Sequence, residues 1–92
     1  MADALKVLST EISLSNTVGN TVSSASLVRI VNLHATASEV VKLCYANGDV
    51  RATTTVGHEN TDCAKLILVK QPTDLILTTG PVVLQATSVA YI

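Results

Sequence analysis

The chain has 92 residues and a net charge of −1, and 48% of its residues are apolar while only 14% are charged. Its six basic residues are scattered, which argues against a nucleic-acid-binding surface because such surfaces depend on clustered Lys and Arg. No apolar run reaches the roughly 18 residues that a membrane-spanning helix requires, so the sequence predicts no membrane partner.

β-Branched residues dominate the composition. The chain contains 13 Val, 12 Thr and 5 Ile, and these side chains favour pleated, half-buried strands. There is no Trp or Phe and there are only two Tyr, so the core must be aliphatic. A domain of this size buries only roughly 60–65% of its unfolded surface. With a mean hydropathy of +0.45, we expect some apolar surface to contact another subunit.

The first 25 residues are predicted to be the looser part of the domain. Residues 6–14 alternate partly and predict a first strand, whereas residues 15–26 are rich in Ser, Asn, Gly and Thr and predict a loop or a ragged edge strand. Because the start of the chain has no long apolar run, no secretory signal is expected. Synthesis in a reducing cytoplasm would keep the cysteines as thiols.

The middle of the chain predicts two strands followed by a hairpin partner. The strands are residues 26–35 (SLVRIVNLHA) and residues 38–46 (SEVVKLCYA). Parts of both also fit a helical spacing, but their β-branched content favours strands. Asn47-Gly48 predicts a type I′ turn, which makes residues 49–56 the antiparallel partner of the second strand.

The last third of the chain predicts two further strands separated by a corner. Residues 57–62 form a polar turn and residues 63–70 form a strand that should end before Pro72, because proline cannot donate to a ladder. One helical turn could begin at Pro72. Residues 81–92 predict the final strand.

These elements predict one all-β domain that spans residues 1–92. Six or seven short strands, each close to its neighbour along the chain, are typical of an antiparallel β-sandwich or a small jelly-roll-like barrel.

No pattern in the sequence predicts a catalytic, cofactor or metal site. The candidate metal ligands are His34, Cys44, His58, Glu59, Asp62 and Cys63. Their spacing matches no compact zinc motif, and the sequence has neither a nucleophile elbow nor a phosphate-binding loop. We therefore predict a protein that is not an enzyme and has no cofactor or small-molecule substrate. The two cysteines are predicted to pack as small hydrophobes rather than to form a disulfide.

The strand that contains residues 27–33 is apolar on both faces. Val28 and Ile30 fall on one face, whereas Leu27, Val31 and Leu33 fall on the other. A two-sheet sandwich has one inner face per sheet, and the polar loop before this strand is expected to cover little. We therefore predict a homo-oligomer. The predicted interface residues are Leu27, Arg29, Val31, Leu33 and Tyr91.

Two roles are open for Arg29. It could be a surface charge whose aliphatic stem lies on apolar neighbours. Alternatively, it could pair with a carboxylate of a neighbouring copy, such as Glu39 or Asp74. Arg51, on the hairpin arm, is predicted to face solvent.

Three segments of the chain resemble small structural proteins of tailed-bacteriophage virions, especially marine and cyanobacterial ones. The segments are LVRIVNLHA, ILVKQPTDLIL and VVLQATSVAYI, and the resemblance covers roughly residues 26–92. It implies a capsid decoration or cement subunit, or a neck or tail component. Its partners would be copies of itself and the major capsid protein or other virion proteins. It implies a place in the virion after synthesis in the host cytoplasm, and it transfers no functional residues.

Two other functions stay open at this point. A glycan- or ligand-binding attachment module would use Tyr45, Tyr91 and the turn around His58 as exposed aromatics and a calcium-type carboxylate cluster. A metal-dependent enzyme would use the histidines and cysteines named above.

Overall fold

A computed structural model describes residues 5–59, 61 and 64–91, with all of their side chains except those of Leu5 and Tyr91. These residues form eight β-strands, and no helix in this part of the chain could span a membrane. The strands are β1 (Leu5–Val7), β2 (Ile12–Ser13), β3 (Leu27–Asn32), β4 (Glu39–Cys44), β5 (Val50–Val56), β6 (Lys65–Val69), β7 (Leu75–Thr78) and β8 (Leu84–Tyr91).

The strands form two antiparallel sheets, which confirms the predicted all-β sandwich. The five-stranded sheet has the order β1-β8-β3-β6, with β2 also beside β8, and the three-stranded sheet has the order β5-β4-β7. β3 lies between β8 and β6 and is therefore a central strand. The predicted first strand is divided into β1 and β2, both of which pair with β8.

Alternate residues of the strands fill the space between the two sheets. Val28 and Ile30 of β3 are completely buried, so the face that carries them is the core face. The other core residues of the strands include Val41, Leu43, Val56, Ile76, Leu84 and Ala86. Burying one such aliphatic side chain stabilises the fold by about 1.5–3 kcal/mol.

The loop between β2 and β3 contributes to this core. Val22 and Ala25 are buried in the core cluster. Val22, Ser23 and Ser24 have φ angles of 54–57°, a left-handed conformation that costs an L-residue roughly 1–2 kcal/mol. The Asn20 side chain accepts a hydrogen bond from the Val22 N–H. The turn thereby holds the side chain of Val22 against the core.

The same loop closes one flank of the sandwich. Ser15 accepts a hydrogen bond from the Thr78 N–H, and Asn20 and Ile76 exchange two backbone hydrogen bonds of 2.9 and 3.2 Å. The edge of β7 is therefore paired. On the opposite flank, where the edges of β5 and β6 lie, no segment of the described chain forms backbone hydrogen bonds of this kind.

The strand connections differ from the sequence expectation. β4 and β5 form the predicted hairpin, but β3 pairs with β6 and β8, and β4 pairs with β7, across long connections. The expectation that strands pair with their neighbours along the chain is therefore wrong for most of the domain. The residues after Gln71 form a hydrogen-bonded turn rather than a helical one, since the Asp74 N–H donates to the Gln71 carbonyl.

The hairpin turn is not of type I′. In the turn only Gly48 has a positive φ, of 93°, whereas a type I′ turn needs two such residues. The Gly48 N–H donates to the Tyr45 carbonyl, and the Tyr45 N–H donates to Asp49. This pattern is that of a type I turn followed by a left-handed residue. It is accompanied by a register shift at Cys44.

We predict that two isoleucines on opposite faces of the five-stranded sheet contribute very differently to stability. Ile30→Ala should lower the free energy of unfolding by about 2–5 kcal/mol, because the side chain is completely buried. Ile67→Ala removes the same atoms from a side chain that is 38% exposed and should cost less than about 1 kcal/mol. Urea unfolding followed by circular dichroism measures both, and equal losses would contradict the assignment of the core face.

Candidate functional site: the outer face of the five-stranded sheet

We call the side of the five-stranded sheet that points away from the core the outer face. The strand pairing defines its members, because residues opposite each other in an antiparallel pair project to the same side. They are Val7, Ser13, Leu27, Arg29, Val31, Lys65, Ile67, Val69, Gln85, Thr87 and Val89.

Four apolar residues form a row across four strands at one end of the outer face. Val7 is opposite Val89, and Val69 is opposite Leu27. Val28 is opposite Ser88 in the β3–β8 pair, so the preceding residue of β3, Leu27, lies opposite Val89. With strands about 4.8 Å apart, the row is about 14 Å long. Val7 and Val69, at its two ends, are 67% and 75% exposed.

The outer face becomes more polar away from this apolar row. The next two rows are Thr87–Arg29–Ile67 and Gln85–Val31–Lys65. Arg29 is the long polar side chain beside the apolar row, and Gln85 and Lys65 follow one row further on.

A groove of about 470 Å³ adjoins the apolar row at the end of the sandwich. Its lining includes Leu8, Ser23, Ser24, Leu27, Ser88 and Val89. Leu27 and Val89 belong to both features, but Val89 is buried and four serines line the groove, so the groove is a largely polar concavity beside the left-handed turn.

The structure places the predicted interface residues unequally. Leu27, Arg29 and Val31 lie together on the outer face, where Val31 is buried between its neighbours. Leu33 follows the end of β3 and is exposed. The side chain of Tyr91 lies outside what the structure describes. The sequence reasoning missed the strongly exposed members of the face, Val7, Ile67 and Val69; the two-sided apolar pattern of β6 was a signal for the last two.

Arg29 forms no salt bridge with any residue that the structure describes. The carboxylates suggested as partners of Arg29 on a neighbouring copy were Glu39 and Asp74. That suggestion is wrong, because both side chains are buried and already hydrogen-bonded within their own chain. Asp74 pairs with Arg51 and accepts the Gln71 N–H. Arg51 is exposed, as the sequence predicted, and its guanidinium also lies 5.6 Å from the centre of the Tyr45 ring.

Glu39 is buried but fully hydrogen-bonded. Its carboxylate accepts hydrogen bonds from the N–H groups of Val40, Gly80 and Val82 and from the Thr79 hydroxyl, at 2.8–3.1 Å. Burial alone would raise the pKa of Glu39, but these donors favour the charged form and lower the pKa below the usual glutamate value. Gly80 makes this possible, since a Cβ there would lie 2.9 Å from Oε2. Glu39 therefore fastens β4 to the corner between β7 and β8.

The candidate metal ligands do not form a site in the described part of the chain, where no three His, Cys, Asp or Glu residues are grouped for an ion. His34 and His58 lie on adjacent loops, but Nδ1 of His34 accepts hydrogen bonds from the N–H groups of Thr36 and Ala37. Cys44 is buried. Asp62 and Cys63, and with them a bridge between the cysteines, lie outside the described residues.

Compared with protein-family models, with curated proteins and with solved structures, the chain has no significant match. Three exposed large hydrophobic residues, Val7, Ile67 and Val69, lie together on the outer face.

We predict that the Glu39 carboxylate makes stability depend on pH. Because folding lowers its pKa, the charged form stabilises the fold above the unfolded value of about 4.3, and this stabilisation is lost as the pH falls through the folded pKa. Glu39→Gln should lower the free energy of unfolding at pH 7 by about 1.5–3 kcal/mol. It should also flatten the loss of stability between neutral pH and pH 3.

The matched control is Glu11→Gln, since Glu11 is exposed and the change should alter stability at pH 7 by less than about 0.5 kcal/mol. Urea titrations at several pH values provide the measurement. An unchanged pH profile in Glu39→Gln would show that the carboxylate does not have this role.

Proposed function

We propose that this chain is a non-enzymatic structural subunit of a virion, which decorates or cements a capsid. It binds copies of itself and shell proteins through the outer face. The observation that carries the proposal is the apolar row Val7–Val89–Leu27–Val69 with its exposed ends.

The energetics of the outer face favour association. Apolar surface removed from water contributes about 25 cal/mol per Å², so covering a few hundred Å² would supply several kcal/mol before the cost of ordering the subunits. The row runs across four strands of the five-stranded sheet. Arg29, unpaired among the described residues, adds a charge of the kind that interfaces often use.

The virion setting is supported by the resemblance of three segments to phage structural proteins. A decoration subunit needs a stable scaffold and surfaces that bind neighbours, and it needs no reacting group. The buried charged residues of the described chain, Glu39, Lys70 and Asp74, are hydrogen-bonded within turns, which agrees with such a role. A neck or tail location would use the same outer face and would differ only in the partner.

We predict that one added charge in the apolar row weakens association without unfolding the protein. Val69→Lys should reduce binding to other copies or to shell proteins by about ten-fold or more, because a desolvated ammonium group would be costly in the contact. Val18→Lys is the matched control, since Val18 is 68% exposed in the loop between β2 and β3 and is not part of the outer face. Light scattering after size-exclusion chromatography, thermal unfolding and co-sedimentation with phage shells measure these effects.

A wild-type chain that stays monomeric and binds no phage shell or tail protein would overturn the outer-face proposal. The virion setting has its own test, mass spectrometry of purified phage particles from the source of this sequence. The presence of the chain as a stoichiometric component is the expected result.

A further inference from the structure

β5 is an open strand edge that is exposed on both of its faces. Six of its seven residues are exposed, and only Val56 is buried. β4 pairs with one side of β5. On the other side no strand of the described chain is paired with it.

The outward backbone groups of β5 belong to Thr53 and Thr55. The Tyr45 N–H donates to the Asp49 carbonyl across the hairpin. Because backbone groups alternate in direction along a strand, Leu43, Val41 and Glu39 of β4 also direct their N–H and C=O groups towards β5. The residues opposite these are Ala52, Thr54 and Val56. Thr53 and Thr55, which lie between them, must therefore direct their N–H and C=O groups away from β4.

From Ala52 to Val56, β5 lacks the devices that usually protect an open edge. Soluble monomers protect edges with charges, proline, bulges or short strands. Residues 52–56 contain no charge and no proline, and the only register shift lies at the hairpin end. The other edges are better protected, since β7 is paired by Asn20, β1 has three residues, and β6 begins with Lys65.

An apolar recess opens beside this edge. It has a volume of about 80 Å³, and its lining includes Val41, Leu43, Ala52, Thr54 and Leu68. Since Leu68 belongs to β6, the recess lies between the two open edges, on the flank that no described segment crosses. A strand added next to β5 would cover this recess.

We propose that two copies of this chain pair through their β5 strands, antiparallel and about a two-fold axis, so that two three-stranded sheets become one six-stranded sheet. The inference deepens the proposed structural role by naming a self-contact, but it depends on the β5 edge and not on the outer face.

The β5 edge is self-complementary in one particular register. With Thr54 opposite Thr54 of the second copy, Thr53 of each copy lies opposite Thr55 of the other, and each such pair exchanges two backbone hydrogen bonds. Arg51 then lies opposite Gly57, so the two Arg51 side chains are not directly opposed. A symmetric dimer requires such a self-complementary patch, and cross-strand threonine pairs add favourable contacts.

The test removes outward N–H groups and leaves the fold intact. Thr53→Pro and Thr55→Pro each delete a donor that points away from β4, a position where edge strands tolerate proline. Each should weaken dimerisation by about ten-fold or more and shift the unfolding midpoint by only a few degrees. Thr53→Val retains the N–H group and should weaken dimerisation far less than Thr53→Pro does. Sedimentation velocity from about 1 μM to about 1 mM measures the dimer.

The outcomes separate this inference from the outer-face proposal. A wild-type monomer at the highest concentration, or a folded Thr53→Pro variant that dimerises like wild type, overturns β5 pairing. Loss of dimer in Val69→Lys alone also overturns it and supports the outer face. Loss in the proline variants alone supports β5 pairing even if no shell binding is found.

Hydrogen exchange on the wild type keeps the test decisive if a proline variant does not fold. Thr53 and Thr55 amides should become protected only at concentrations where the dimer forms. Amides that exchange equally fast in monomer and dimer would overturn β5 pairing.

Discussion

The unpaired backbone at the sheet edges is the constraint on which this structure depends. Two open sheets have four edges, and each N–H and C=O along them needs a hydrogen-bond partner or water. The loop before β3 supplies partners for β7 through Ser15 and Asn20. Because this loop runs along β7, no segment of the described chain spans the gap between β5 and β6 on the opposite flank. The asymmetry between a closed flank and an open one therefore follows from where a single loop runs.

The buried charges of the domain serve its turns. Glu39 holds the corner after β7, and the Lys70 ammonium donates to the backbone carbonyls of Gln71, Pro72 and Asp74. Burial lowers the pKa of Lys70, and the nearby Asp74 carboxylate partly opposes that effect. Such groups replace lost hydration with hydrogen bonds inside the same turn.

The period of two along a strand explains what the sequence could predict. It placed Val28 and Ile30 opposite Leu27 and Val31, and the structure shows the first pair in the core. It could not predict that β1 and β6 would extend the same face with Val7 and Val69, because those pairings join residues far apart in the chain.

Two further features could not be predicted from the sequence, the first for a local reason and the second for a long-range one. A left-handed turn built from Val22 and two serines has no glycine or asparagine at those positions to announce it. The Arg51–Asp74 pair joins residues 23 positions apart, and only the pairing of β4 with both β5 and β7 brings them together. The hairpin was predictable from Asn-Gly, yet its turn type depended on Asn47 keeping a negative φ.

The two proposed surfaces are geometrically compatible, and their combination strengthens binding to an extended partner. In an antiparallel pairing of β5 strands the two-fold axis is perpendicular to the shared sheet. Both five-stranded sheets then lie on the same side of the six-stranded sheet, so their outer faces point in the same direction. Two outer faces held in this way could contact one surface at once, and linked contacts bind more tightly than either alone. A repetitive shell offers many identical sites, so modest affinity at each apolar row would suffice for stable attachment.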